Sequence, residues 1–231
     1  MMQFYILDTG LGADWKLYAG GQAIVKPIVR CPVCNWPLDD GGPAEIHVAL
    51  DHIGRQGFTE HLWSGVPIFR ADLVGMWEEA GLSGFAVRKV KIVTWHNRPR
   101  KPLPENIPGY LQLVPTSRVR LLEPPPIESP CPQCGVVEYA FPKVGNHLEN
   151  GIRIDPSSWD GSDFFSLTGY GFVFCTRRVA EVTLRAGFNR RIVFAKVDDY
   201  DRWEEFDYDK WTPTAYREYL EQYLIRRVED L

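Results

Sequence analysis

Four consecutive apolar residues, Phe4-Tyr5-Ile6-Leu7, stop at Asp8 and predict a short opening strand. Gly10, Gly12, Gly20 and Gly21 then mark turns. From Asn35 to Pro67 the chain is punctuated by Pro37, Gly41-Gly42-Pro43, Gly54 and Gly65, so an irregular segment is expected, with one strand through Ile46 and Val48. Phe69, Leu73, Met76, Trp77 and Ala80 recur at helical spacing, and Gly81 stands where a left-handed residue would end that helix. Phe85, Val87, Val90, Ile92 and Val93 are strand formers without a clean alternation. The stretch from Arg98 to Gly109 holds Pro99, Pro102, Pro104 and Pro108; proline fixes φ and removes a donor, so a linker is expected. Strands are predicted from Tyr110 to Val114 and from Val119 to Leu122, followed by the rigid run Pro124-Pro125-Pro126.

Farther along, Phe172-Val173-Phe174-Cys175 predicts a buried strand and Val179, Val182 and Ala186 a helix face. Gly187 is its stop, and Ile192-Val193-Phe194 the next strand. The order resembles that of the first half: C-P-x-C, irregular segment, strand, helix, Ala-Gly-apolar, strand, with Ala80-Gly81-Leu82 set against Ala186-Gly187-Phe188. An internal duplication is therefore expected, against chance resemblance of two helices that end in Ala-Gly. The expected fold class is α+β: two related strand-helix-strand lobes clasped by a four-cysteine zinc-knuckle site, plus a C-terminal helix. The lobes would be residues 1–97 and 110–197, the linker 98–109, and an acidic-aromatic segment with the final helix 198–231, all in one compact unit. The last helix should start at Thr212-Pro213 and run through Tyr216, Tyr219, Leu220, Tyr223 and Leu224.

Composition narrows the function classes. A chain of 231 residues can bury a sizeable core without covalent staples. With 26 Lys+Arg against 30 Asp+Glu, the net charge of −4 argues against neutralising nucleic-acid phosphates or anionic lipid as the main task. No run approaches the apolar length of a membrane span, and the first residues lack the basic-then-apolar order of a signal peptide, so a soluble cytoplasmic protein without a membrane partner is expected. Five cysteines are too few for a disulfide scaffold.

Four of the five form Cys31-Pro32-Val33-Cys34 and Cys131-Pro132-Gln133-Cys134. Four soft thiolates suit one tetrahedral zinc in a closed structural site, and two intervening residues let one turn present both sulfurs to one ion. Gly135 after the second pair, and Asn35 after the first, tolerate the backbone such a turn requires. Two other readings fit the spacing: knuckles that no longer hold metal, and a redox dithiol or disulfide. The redox reading wants a helix after the first cysteine; Pro37 and the strand-like Val136-Val137-Glu138-Tyr139-Ala140-Phe141 oppose it. A zinc held by Cys31, Cys34, Cys131 and Cys134 would join the two halves, and would be coordinatively full and not catalytic.

Other chemistry is sparse. The histidines at 47, 52, 61, 96 and 147 show no helical ligand spacing, Cys175 in an apolar strand reads as a buried hydrophobe, and Asp160 and Asp163 read as turn residues ahead of Phe164-Phe165. No phosphate loop, dinucleotide fingerprint or nucleophile elbow is present, so an enzyme is not expected.

At the cysteine pairs and the segments downstream of them, the chain resembles the myxobacterial double-CXXCG motif family, which includes immunity proteins of swarming-inhibition toxin systems. The matching residues are Phe4-Tyr5-Ile6-Leu7, Cys31/Cys34, the helix-then-strand segment before the linker, and Cys131-Pro132-Gln133-Cys134-Gly135 with Tyr139-Ala140-Phe141-Pro142. They continue through Asp163-Phe164-Phe165 and from Phe172 through Ala186-Gly187-Phe188 to Val193-Phe194. The resemblance covers residues 2 to about 197; it departs at Asn35, where the family pattern has glycine, and in the tail from Asp198. It implies an immunity protein that binds and neutralises a cognate toxin, with no catalytic residues.

The tail adds a partner surface of its own. Asp201, Trp203, Glu204, Glu205, Asp207 and Tyr208 mix carboxylates with aromatic anchors, the combination expected to meet a basic nuclease-type toxin; a solvated loop with a packed helix is the plainer reading. The alternative function is a zinc-stabilised nucleic-acid-binding or regulatory adaptor, motivated by Arg98, Arg100, Lys101, Arg118 and Arg120. An enzyme with an unrecognised site is the third class.

Overall fold

The computed structural model describes residues 3–8, 21–24, 31–33, 45–50, 61–63, 67–96, 98–122, 130–133, 152–167, 173–188, 192–199, 218 and 221–231. Among these the fold is α+β, with two mixed sheets and two α-helices. The strands are β1 (Phe4–Asp8), β2 (Gly21–Ile24), β3 (Glu45–Leu50), β4 (His61–Trp63), β5 (Pro67–Arg70), β6 (Phe85–Trp95), β7 (Tyr110–Pro115), β8 (Ser117–Val119), β9 (Phe164–Leu167), β10 (Val173–Thr176) and β11 (Val193–Lys196). Helix α1 (Ala71–Glu79) lies between β5 and β6, and α2 (Arg177–Arg185) between β10 and β11. No helix among the described residues is long and apolar enough to cross a membrane.

The five-stranded sheet runs β11-β1-β10-β9-β8 and the six-stranded sheet β2-β3-β6-β7-β5-β4. Most neighbours are antiparallel; β3 with β6 and β8 with β9 are parallel. The continuous apolar character of β1 follows from its central position. Tyr5 and Leu7 enter the core between the sheets, while Phe4 and Ile6 enter a second core on the opposite face with Phe165, Phe174 and Val193. A strand covered on both faces has no solvent side on which polar residues would alternate.

The main core joins both halves of the chain. Phe69, Leu73, Val74, Trp77 and Leu113 pack with Tyr5, Phe164, Cys175, Val179, Ala180 and Phe194. Trp77 meets Phe69 and Phe164 at ring centroids 5.2 and 5.0 Å away. A third cluster, with Ile46, Val48, Leu50, Ile68, Trp95 and Tyr110, includes residues of β3, β5, β6 and β7.

The helices end as Gly81 and Gly187 suggested. Their φ values are +65° and +81°, and in each case the preceding alanine keeps right-handed helical geometry. The uneven alternation of β6 also has a structural cause: Val48 faces Ile92 while Ala49 faces Thr94, so Val93 is an extra residue opposite β3.

Several expectations change. Phe69, taken as the first turn of a helix, lies in β5, and the helix begins at Ala71. The strand expected over Val119–Leu122 is β8, over Ser117–Val119, with Leu121 in a single bridge to Ile154. Phe164-Phe165 belong to β9, whose pairing comes from β8 and β10 rather than from local pattern. Residues 98–109, read as a linker between lobes, connect β6 to β7, which pair with each other in one sheet. Trp95 Nε1–H donates to the Pro102 carbonyl and the Lys101 ammonium lies over the Trp95 ring, tying this loop to its sheet. Strand β7, expected in the second lobe, therefore sits in the sheet of the first helix, while β1, expected in the first lobe, sits between β10 and β11.

The start of the last predicted helix lies outside the described residues. Glu218 and Glu221 are helical, but Leu224 lies past the helix end, and Ile225 exchanges both backbone hydrogen bonds with Phe194. Leu224 and Ile225 are core residues, so the C-terminal segment covers the β11 edge.

Gly84 shows how tightly the sheets meet. Its φ is +86°, and a Cβ there would fall 2.2 Å from the Phe164 carbonyl oxygen and 2.6 Å from Ser162 Cβ. The Gly84 carbonyl accepts from Thr116 N–H, and the adjacent Ser83 carbonyl accepts from Phe164 N–H. Gly84→Ala is expected to destabilise the protein by at least about 2 kcal/mol through strain and forced separation of these backbones. Urea unfolding measures this; an unchanged midpoint would contradict the close approach.

Candidate metal centre

Each described cysteine of the predicted set opens a turn, Cys31-Pro32-Val33 in one half and Cys131-Pro132-Gln133 in the other. Proline after the cysteine favours this local course by fixing φ and withholding an amide donor. The turns bring residues 100 positions apart together: the two Sγ atoms are 3.7 Å from each other, and both side chains are buried.

That separation excludes a disulfide between them. A disulfide would hold the sulfurs at about 2.05 Å. Two thiolates on one tetrahedral zinc, each about 2.3 Å from the metal, stand about 3.8 Å apart. The Cys31–Cys131 distance fits that geometry, and it equally fits two thiols in S–H···S contact without a metal. Cys34 and Cys134 lie outside the described residues. Among the described residues no three His, Cys, Asp or Glu side chains cluster as a metal site.

The remaining sequence candidates are dispersed. His47 is half-buried on β3 and His96 exposed after β6; the His61 side chain, His52 and His147 lie outside the description. Cys175 is fully buried beside Tyr5 in the sheet, where burial, and secondarily the Asp163 charge, push its thiol well up, so it is an inert apolar residue of the core. Asp201, Trp203, Glu204, Glu205, Asp207 and Tyr208 also lie outside the described residues. Of the basic stretch, Arg98, Arg100 and Lys101 follow β6 in one sheet, whereas Arg118 is on β8 in the other. Arg120 pairs with Asp155 at 3.4 Å.

The two aspartates taken as turn residues have different roles. Asp160 accepts from Ser162 N–H and Ser117 Oγ–H; the Ser162 side chain first, then its backbone N–H and the Ser117 hydroxyl, hold its carboxyl below the usual range. Asp163 is buried and links the halves. Its Oδ2 accepts from Ser83 N–H at 3.0 Å and from Arg178 Nη1 at 3.2 Å, while Oδ1 accepts from Thr176 Oγ1 at 2.9 Å. Arg178 Nη2 also donates to the Ala80 carbonyl at 2.5 Å, so a side chain of α2 caps the end of α1. Nothing local in the sequence marks this latch, because its members are spread from Ala80 to Arg178. Asp163→Ala would leave the Ser83 amide and the Arg178 guanidinium short of an acceptor, with an expected loss of about 3 kcal/mol. The measurement is chemical denaturation; a loss below about 1 kcal/mol would mean that solvent replaces the carboxylate.

The centre thus defined joins distant segments of an α+β fold through paired buried thiols. No protein-family model matches the chain, and no curated protein matches it.

Proposed function

We propose that this protein is a non-catalytic binding protein that neutralises a cognate bacterial toxin, with its fold closed by one structural zinc ion. The observation that carries the metal reading is the 3.7 Å approach of two buried cysteine sulfurs from opposite halves of the chain. Cys31, Cys34, Cys131 and Cys134 would hold the ion; bound there, zinc supplies cross-linking and no open coordination position for substrate. The immunity role rests on the resemblance of the cysteine pairs and their downstream segments to the double-CXXCG family.

Metal analysis and native mass spectrometry test the first part: one zinc per chain is expected, and zero metal with four free thiols overturns it. Co-expression with toxins encoded by the same genome tests the second. One toxin should be neutralised by a tight complex, and failure against all of them overturns the immunity role. The acidic-aromatic segment is the proposed contact for a basic toxin surface. Because Leu224 and Ile225 are buried in the core, removal of residues 198–231 would damage the fold. Charge removal at Asp201, Glu204, Glu205 and Asp207 is the cleaner test, with at least a tenfold loss of toxin affinity expected.

A further inference from the structure

The two helices occupy matching frames. Strands β5 and β6 run parallel without touching, and β7 fills the gap between them antiparallel to both; β10 and β11 likewise run parallel, with β1 filling the gap. An antiparallel strand lies outside each frame, β4 beside β5 and β9 beside β10. The orders β6-β7-β5-β4 and β11-β1-β10-β9 are therefore the same arrangement.

Register makes the match specific. Arg70, Phe69 and Ile68 face Tyr110, Leu111 and Gln112. Shifted by 106 positions, Thr176, Cys175 and Phe174 face Phe4, Tyr5 and Ile6. On the other side, Ala86, Val87, Arg88 and Lys89 face Val114 to Leu111, and their counterparts Val193 to Lys196 face Asp8 to Tyr5. The helices, each of nine residues, begin at Ala71 and Arg177, again 106 apart. Their final turns carry the same three hydrogen bonds: Ala80 to Met76, Gly81 to Glu78 and Leu82 to Trp77, against Ala186 to Val182, Gly187 to Leu184 and Phe188 to Thr183.

Equivalent positions also touch each other. Trp77 Nε1 donates to Thr183 Oγ1 at 2.8 Å, and these residues hold the same place in their helices. Cys31 and Cys131 open the same motif and meet at 3.7 Å. Contact between a position and its own counterpart is the mark of a two-fold axis.

We infer that the chain is a fused, strand-exchanged pseudo-dimer: two copies of one unit related by a local two-fold, each inserting its first strand into the middle of the other's sheet. Each half carries an interaction surface, the gap between two parallel strands, whose fitting partner is the first strand of a second copy. In the single chain the halves satisfy each other. The exchange explains why β1 and β7 lie in the opposite sheet from the one their sequence position suggests, and why the long β6–β7 connection needs no separate interface. It also puts Cys31 and Cys131 where the two copies meet; that an ion lies there rests on the zinc reading, whereas the exchange stands on strand topology alone.

The test cuts the folded protein. A protease site inserted between Glu105 and Asn106, both exposed in the β6–β7 connection, allows nicking after folding. Fragments 1–105 and 106–231 should then remain together in native buffer as a 1:1 complex with unchanged circular dichroism, because each lacks the central strand of its own sheet. Separation into two folded single fragments would overturn the exchange. Hydrogen exchange of the uncut protein is the second measurement. Amides of Tyr5–Leu7 and Leu111–Leu113 should be as protected as those of Phe174 and Phe194; exchange of residues 5–7 at least 100-fold faster, as in a fraying terminus, would overturn it. Metal content is measured separately, so absence of zinc refutes the zinc reading without deciding the exchange.

Discussion

On the proposed zinc reading, Cys31→Ser or Cys131→Ser is expected to abolish the cooperative fold and release the ion together. Structural zinc contributes roughly 10–16 kcal/mol in small zinc-binding peptides, as much as or more than the roughly 5–15 kcal/mol total stability of a typical protein. Serine is nearly isosteric, so the loss would come from lost ligation and from burying a hydroxyl rather than from changed volume. A strong chelator should reproduce the effect in the unmutated chain, and zinc, not magnesium, should reverse it. Acidification would act with the same sign: a zinc held there would bind thiolates, protons would compete for them, and the stability due to the ion would fall as pH falls. The comparison that decides is Cys31→Ala with Cys131→Ala. If that double variant melts within a few degrees of the parent, the two thiols are simply packed side by side and the clasp is wrong.

Trp77→Ala is expected to cost about 4 kcal/mol, the range found when a large aromatic is removed from a core that cannot collapse around the space. Trp77 is completely buried against Phe69, Phe85 and Phe164, so the cavity would open where α1 and both sheets meet. Its N–H bond to Thr183 adds a directional term that a double-mutant cycle isolates. Thr183→Val, which leaves the indole N–H without its acceptor, should cost about 1–3 kcal/mol, and Trp77→Phe combined with it should cost less than the sum of the two. Strict additivity would remove the hydrogen bond as a link between the helices; a Trp77→Ala loss under about 1 kcal/mol would remove Trp77 from the core.

Local elements were legible where one short-range force acts alone. The helix over Ala71–Glu79 follows from apolar spacing, and both helix ends follow from the left-handed freedom of Gly81 and Gly187. Strands β1, β7 and β10 follow from compact apolar runs. Strand β9 was hidden because Phe164 and Phe165 are too brief a signal without the neighbours that pair with them, and β5 because its four residues merge with the helical pattern. The cysteine pairs were visible as a motif, while the 3.7 Å approach of their first sulfurs is a property of the folded chain.

Taken by itself, the sequence determined the α+β class, the two helix-then-strand segments with their glycine stops and the presence of two C-x-x-C motifs, because each depends on residues within about one turn or one strand of each other. The tertiary structure decided which strand lies beside which. Backbone hydrogen bonds are the same for every strand, so only packing on both faces places β1 between β10 and β11 and β7 between β5 and β6. The contacts of Asp163 with Ser83 and of Arg178 with Ala80, the Trp77–Thr183 bond and the meeting of Cys31 with Cys131 are decided at the same level, since each joins residues from different halves of the chain that only the assembled fold makes neighbours.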